Sequence, residues 1–79
     1  MKKVLYFHSL TCPPCRFCER ETIDKLEGVE VQKINVMENR PENKQYKVDK
    51  IPTTIILEDG DPVERFVGAV ELDEIKKYL

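Results

Sequence analysis

Cysteines stand at positions 12, 15 and 18 of a 79-residue chain, and they bound the chemistry it could do. Cys12 and Cys15 enclose two prolines in Thr11-Cys12-Pro13-Pro14-Cys15-Arg16. The pair follows an apolar run, Val4-Leu5-Tyr6-Phe7, and precedes a helical pattern. A strand running into Cys-x-x-Cys at the mouth of a helix is a redox signature when a βαβ pattern surrounds it. The first N–H groups of a helix have no partner inside it, and its dipole is positive there. A sulfur at that end ionises more easily, and the thiolate is the form that attacks disulfides. A second sulfur three residues on can resolve a mixed disulfide formed on the first.

The prolines suit a first helical turn, where a missing N–H costs nothing. Neither can donate to a Cys12 thiolate, so only the amides of Cys15 and later residues remain. A Cys12 pKa lowered from about 8.5 into roughly the 6–8 range is expected. Arg16 favours the thiolate, and Glu19 and Glu21 oppose it.

Three cysteines this close together are an odd set and no structural disulfide framework. Metal binding is the competing chemistry. Cys-x-x-Cys-x-x-Cys opens the bacterial iron–sulfur run, and three sulfurs with His8 would make a four-ligand zinc set. No fourth cysteine is present. Ligands three apart on one helix also turn away from one another. Cys18 reads as core packing, a regulatory third thiol or a metal ligand. His8 reads as a proton shuttle or as a polar cap on its loop. Phe17 reads as a partner contact or an exposed aromatic, and the charges of 40–50 as a solvated helix surface.

Composition removes other classes. Lys and Arg number 13 against 15 Asp and Glu, which leaves no basic footprint for nucleic acid. No run approaches the length of a membrane helix. Met1-Lys2-Lys3 precedes an apolar run too short for a signal peptide's core. A single cytoplasmic domain over 1–79 is expected, working as a monomer. A chain of this length buries only a little over about 60% of its unfolded surface, so a small core must position the sulfurs.

Val4–Phe7 reads as a strand buried on both faces. Residues 8–11 form a loop. A helix is expected from Pro14 to Glu27, with Cys15, Cys18, Thr22, Ile23 and Leu26 on its core stripe and Gly28 at C′. Val29–Val36 is a second strand. Its alternation slips between Val31 and Ile34, which predicts a bulge or burial on both faces. Asn39 and Glu42 are expected to cap a short helix with Pro41 in its first turn, closed by Tyr46 and Val48. Thr54–Glu58 is a third strand, Asp59-Gly60 a hairpin turn, and Pro62–Val67 a fourth strand at an edge. Gly68 ends it. Glu71–Leu79 is the last helix, with Leu72, Ile75 and Leu79 on its apolar face. The order β-α-β-α-β-β-α gives an α/β class: a four-stranded mixed sheet with helices on both faces, its first two strands parallel and its last two antiparallel.

In this order the sequence resembles the thioredoxin superfamily over nearly its whole length. Cys12-Pro13-Pro14-Cys15 matches the family's Cys-x-x-Cys. Asn35-Val36-Met37-Glu38-Asn39 resembles its segment after the second core strand. Tyr46-Lys47-Val48 leading to Ile51-Pro52-Thr53 matches Tyr-x-Val…Ile-Pro-Thr, and Phe66-Val67-Gly68-Ala69 matches Phe-x-Gly-Ala. In size the chain is closer to glutaredoxins and small redoxins, without the extra N-terminal strand and helix of full-length thioredoxins. The resemblance implies a thioredoxin-like fold and a dithiol–disulfide oxidoreductase without cofactor. It implies Cys12 as the exposed attacking thiol and Cys15 as the buried resolving one. Thr11, Pro13, Pro14, Ile51, Pro52, Val67 and Gly68 would line the substrate groove. Pro52 would follow a cis bond, and Ile51 would offer its backbone to an extended substrate peptide. The implied partners are disulfide-containing proteins, with thioredoxin reductase or glutathione as electron donor. A glutaredoxin-like, glutathione-coupled enzyme is the alternative. Its basic residue before the first cysteine and its Gly-Gly are absent here. Two departures stand out: Thr11 replaces the family's tryptophan, and Tyr6 replaces its buried aspartate. Tyr6 is expected to be a core aromatic, because a phenol is a poor base near neutral pH.

Overall fold

The computed structural model describes residues 1–79. Strand β1 spans Lys2–His8 and runs parallel to β2, Glu30–Asn35. Strand β3, Thr53–Glu58, lies antiparallel to β1 on its other side, and β4, Asp61–Val67, is antiparallel to β3. The sheet order is β2-β1-β3-β4. The expected class, order and directions all hold.

Both faces of β1 are buried, as a run of four apolar residues in the interior of a sheet requires. Val4 and Tyr6 point to one face, where they pack with Ile56, Cys18, Ile23, Val70 and Ile75. Leu5 and Phe7 point to the other, with Ile34, Ile55 and Leu57, covered by Val36, Tyr46, Val48 and Ile51. Helix α1, Pro13–Glu21, and helix α3, Leu72–Lys76, therefore share the first face. Helix α2, Pro41–Gln45, belongs to the segment on the second.

The first helix is shorter than its pattern promised. It ends at Glu21, and a separate 3₁₀ turn covers Ile23–Lys25. Thr22 breaks the ladder at φ −126° because its buried hydroxyl donates to the Val70 carbonyl at 2.7 Å. A threonine with a bond outside its own helix favours a break over another turn. Gly28 is accordingly not the C′ residue of α1, although its φ of +74° does need glycine.

The phase slip in β2 is burial on both faces. Val31 packs against one cluster and Ile34 is buried in the other, while pairing to β1 runs without a shift. The sheet's one irregularity lies between Ile56 and Leu57, opposite β4. Asn39 does not cap α2. It adopts φ 53° before Arg40, the N-cap, which makes no side-chain cap bond. The capping asparagine is Asn35, whose Oδ1 accepts the Met37 N–H at 3.0 Å and starts a 3₁₀ turn over Val36–Glu38. Pro41 does open α2.

Asp59 and Gly60, at φ 53° and 90°, form the two-residue turn between paired Glu58 and Asp61. Two left-handed residues match the twist of the strands they join. Pro62 stands on β4, an edge strand. Helix α3 is shorter than expected. Ile75 is buried, but Leu79 is 40% exposed beyond the helix end.

Thr54 carries a buried hydroxyl with no hydrogen-bond partner, in the middle of the sheet. Thr54→Val removes that uncompensated group at equal volume. It should raise stability by about 1 kcal/mol, seen as a higher denaturant midpoint at unchanged slope. A lower midpoint would mean that the hydroxyl is satisfied.

Candidate active site

The C-terminal ends of β1 and β2 lie at one end of the sheet, with the start of β3 and the end of β4. The cysteines open α1 at that end. Cys12 is the N-cap, and Pro13 and Pro14 fill the first two helical positions. Cys12 and Cys15 are joined by a disulfide with Cα atoms 5.2 Å apart. The two sulfurs differ in access: Cys12 is half-buried, whereas Cys15 is only 1% exposed. The Cys15 N–H donates to Sγ of Cys12 at 3.2 Å, and the Arg16 N–H donates to the Cys12 carbonyl at 3.1 Å. The first free amide after the prolines thus points at the outer sulfur, as the missing proline donors require.

Charge around the pair differs from the sequence expectation. Glu19 is bonded to Lys33 at 2.7 Å, and Glu21 is held by Arg20 and Lys25. The Arg20 hydrogen bond, with Lys25 nearby, holds the Glu21 carboxyl below the usual carboxylate range. The two acids expected to oppose a Cys12 thiolate are therefore largely compensated. Arg16 is exposed and makes no ion pair, so its charge stays available to the helix mouth.

Tyr6 is completely buried, as expected of a core aromatic, but its hydroxyl has a role that the sequence did not disclose. It donates to the Cys15 carbonyl, and the Cys18 thiol lies beside it. Burial, then the nearby Cys18, pushes the phenol far above its ordinary value of 10.0. Tyr6 is thus a fixed donor that ties α1 to the central strand. His8 stacks on the Tyr6 ring at 5.7 Å and is half-exposed at the end of β1.

Cys18 is a free, buried thiol, 3.9 Å from the Val70 carbonyl that also accepts from Thr22. No three His, Cys, Asp or Glu side chains converge on one point. The geometry gives Cys18 its core-packing reading and offers the three sulfurs and His8 no shared centre.

The remaining expected residues lie at the same end of the sheet. Thr11, Pro13 and Pro14 are exposed, and Thr11 is tethered through its N–H to Ser9 Oγ at 3.1 Å. The Ile51–Pro52 bond is cis. Ile51 is half-buried and its backbone N–H and C=O make no hydrogen bond within the chain. Pro52 is buried, and its carbonyl accepts the Gly68 N–H at 2.7 Å. That bond sets the end of β4 beside the start of β3. Val67 is exposed next to Gly68, whose φ is 92°. The bond from the Tyr6 hydroxyl to Cys15 and the Pro52–Gly68 bond were missed by sequence reasoning. The only signal for the first was an aromatic with a polar tip in a buried run, which must find a partner.

A sequence profile of the thioredoxin family matches residues 1–79. Thioredoxin H5 of Arabidopsis thaliana is 35% identical over 79 residues, 96% of this chain and 66% of that protein. Thioredoxin of Staphylococcus epidermidis is 32% identical over 82 residues, 98% of this chain and 78% of its own length. The chain spans only 48% of the mitochondrial thioredoxin of Bos taurus, at 28% identity. Among solved structures, a mutant thioredoxin from Halobacterium salinarum superposes with a TM-score of 0.84 at 32% identity, covering 98% of this chain and 70% of that one. The thioredoxin-2 of a malaria parasite has the same fold, with a TM-score of 0.89 at 23% identity, covering 99% of this chain and 80% of that one. The chain belongs to the thioredoxin family.

Because the Tyr6 phenol keeps its proton in the folded protein, the sign of its pH effect is set. Below pH 10 both folded and unfolded chains hold the proton, and its contribution is complete. Above that value the unfolded chain releases a proton that the folded chain retains, so stability falls as pH rises. Tyr6→Phe should remove this part of the alkaline loss and lower the tyrosinate absorbance step that accompanies alkaline unfolding by the share of one of the chain's three tyrosines. It should also cost about 1–2 kcal/mol at neutral pH, because the donor to Cys15 is gone. An unchanged alkaline limb would refute the assignment.

Proposed function

We propose that this protein reduces disulfides of other proteins by thiol–disulfide exchange. The observation that carries the reading is the Cys12–Cys15 pair at the start of α1, one sulfur reachable and the other sealed. Membership in the thioredoxin family supports it.

The Cys12 thiolate attacks one sulfur of a substrate disulfide. A Cys12–substrate disulfide forms, and the other substrate sulfur leaves as a thiolate. Cys15 then loses its proton and attacks Sγ of Cys12. The Cys12–Cys15 bond forms, and the second substrate sulfur departs. The substrate gains two electrons and two protons, and the protein becomes the disulfide form. The Cys15 N–H aimed at Sγ and the helix dipole stabilise charge on Cys12. A cysteine only 1% exposed meets substrate solely through the mixed disulfide.

Substrate binding falls to Thr11, Pro13, Pro14, Ile51, Val67 and Gly68, with Pro52 acting from below. The free N–H and C=O of Ile51 are one donor and one acceptor for an extended peptide beside the sulfurs. Pro52 contributes by fixing Gly68 through its carbonyl. The electron donor is a thioredoxin reductase. The absence of lysine and arginine from residues 8–11, and Ala69 after Gly68, favour it over glutathione. The protein works as a monomer in the cytoplasm. One labile pair beside a free buried thiol suits a reducing compartment.

Cys12→Ser should abolish turnover of a protein disulfide such as insulin. Cys15→Ser should accumulate a covalent complex with substrate that dithiothreitol releases. Activity surviving in Cys12→Ser, with nothing trapped by Cys15→Ser, would reverse the roles. Coupling to glutathione but not to a thioredoxin reductase would overturn the choice of donor.

A further inference from the structure

We propose that the groove between α1 and the segment leading into α3 selects substrate proteins, by taking an apolar side chain with a basic residue next to it. The proposal rests on the disulfide-reductase reading and names what that reading leaves open, the kind of sequence preferred around the target cysteine.

The groove encloses about 400 Å³. Its floor is Cys18, Thr22 and Val70, all buried. Its walls are Phe17 from α1 and Leu72 from α3. Phe17 is 57% exposed, with the Arg20 guanidinium over its ring at 5.6 Å. A large aromatic left uncovered on the wall of an apolar-floored groove is a ready contact for another apolar side chain.

The charge at the rim identifies the neighbour of that side chain. Glu21 and Glu71 both border the groove. Glu21 is already held by Arg20 and Lys25. Glu71 is exposed and has no ion pair, and neither have Asp73 and Glu74 in the first turn of α3. The groove's rim therefore carries one unpaired negative charge, at Glu71, with Asp73 and Glu74 following it in the chain, which fits lysine or arginine and disfavours aspartate or glutamate.

Position links the groove to the sulfurs. Ala69, on the groove's border, follows Gly68, whose N–H is bonded to the Pro52 carbonyl. The groove thus adjoins the segment that the Gly68–Pro52 bond holds at the end of the sheet where α1 begins. Phe17 lies five residues along from Cys12, about 7.5 Å of helix rise and roughly 140° around the axis, so a bound chain must cross the helix to reach it. An extended peptide advances about 3.3 Å per residue, so its second or third residue from the cysteine reaches Phe17.

The test uses the reduced protein and synthetic peptides whose single cysteine is held in a mixed disulfide with thionitrobenzoate. Leu-Lys, Leu-Glu, Ser-Lys or Ser-Glu occupies the second and third positions from the cysteine, on each side in turn. Every rate constant is divided by the same protein's rate with a small aromatic disulfide, so a general change in reactivity cancels. On one side of the cysteine, leucine should outpace serine by about tenfold. Lysine should outpace glutamate by about threefold. Phe17→Ala should abolish the first preference, and Glu71→Lys should reverse the second. Both residues are exposed, and Glu71 makes no side-chain cap bond, so both variants should fold. Equal rates across the peptides, or preferences that survive both substitutions, overturn the proposal and leave the reductase reading intact. A wild-type protein that fails to reduce even the small disulfide overturns both.

Discussion

The hydroxyl of Tyr6 crosses from the central strand to the first turn of α1 and ends on the carbonyl of Cys15. Strand β1 has neighbours on both sides, and both of its faces are covered, so Tyr6 has almost no freedom to move. Through that bond the rigidity of the sheet passes to the tip of the helix. The Cys15 N–H is then kept on the Cys12 sulfur, and one thiol is kept outside while the other is inside. The net worth of such a bond is about 1 kcal/mol, but leaving its buried groups unpaired costs about 1–3. Geometry more than energy is what the contact supplies.

The far end of the same helix is fastened by a different device. Thr22 and Cys18 both direct their side chains to the Val70 carbonyl, so α1 is tied to the segment that carries Gly68 and Ala69. Gly68 is in turn bonded to Pro52. Helix α1, the segment after β4 and the start of β3 are therefore held to one another by polar links, although they come from distant parts of the sequence.

The sequence was informative wherever one residue type answers one local demand. The apolar run at 4–7, the Asp59-Gly60 turn, the leading Pro62 and the Cys-x-x-Cys at a helix mouth each had one good solution. It was less informative where a side chain spends its hydrogen bond on a distant partner. Thr22 read as a continuing helix because its bond to Val70 spans 48 residues. Asn39 read as a cap because nothing local revealed that it would turn left-handed and leave Arg40, with no side-chain cap bond, at the start of α2. The phase slip in β2 was visible, but which of its two physical causes applied depended on what covers each face. At the active site the sulfurs, prolines and Gly68 were legible by type and spacing. The hydroxyl of Tyr6 was not, because its partner is a backbone carbonyl and carbonyls look alike in every sequence.

Strands β2 and β4 are the outer members of the sheet, and both carry charge: Glu30 and Lys33 on one, Asp61, Glu64 and Arg65 on the other, where Pro62 also removes a donor. Such margins resist annealing to a neighbour. A small sheet with two open edges otherwise runs a standing risk of pairing with its own kind. Unpaired backbone is left instead at Ile51, just before β3, where the N–H and C=O make no hydrogen bond within the chain.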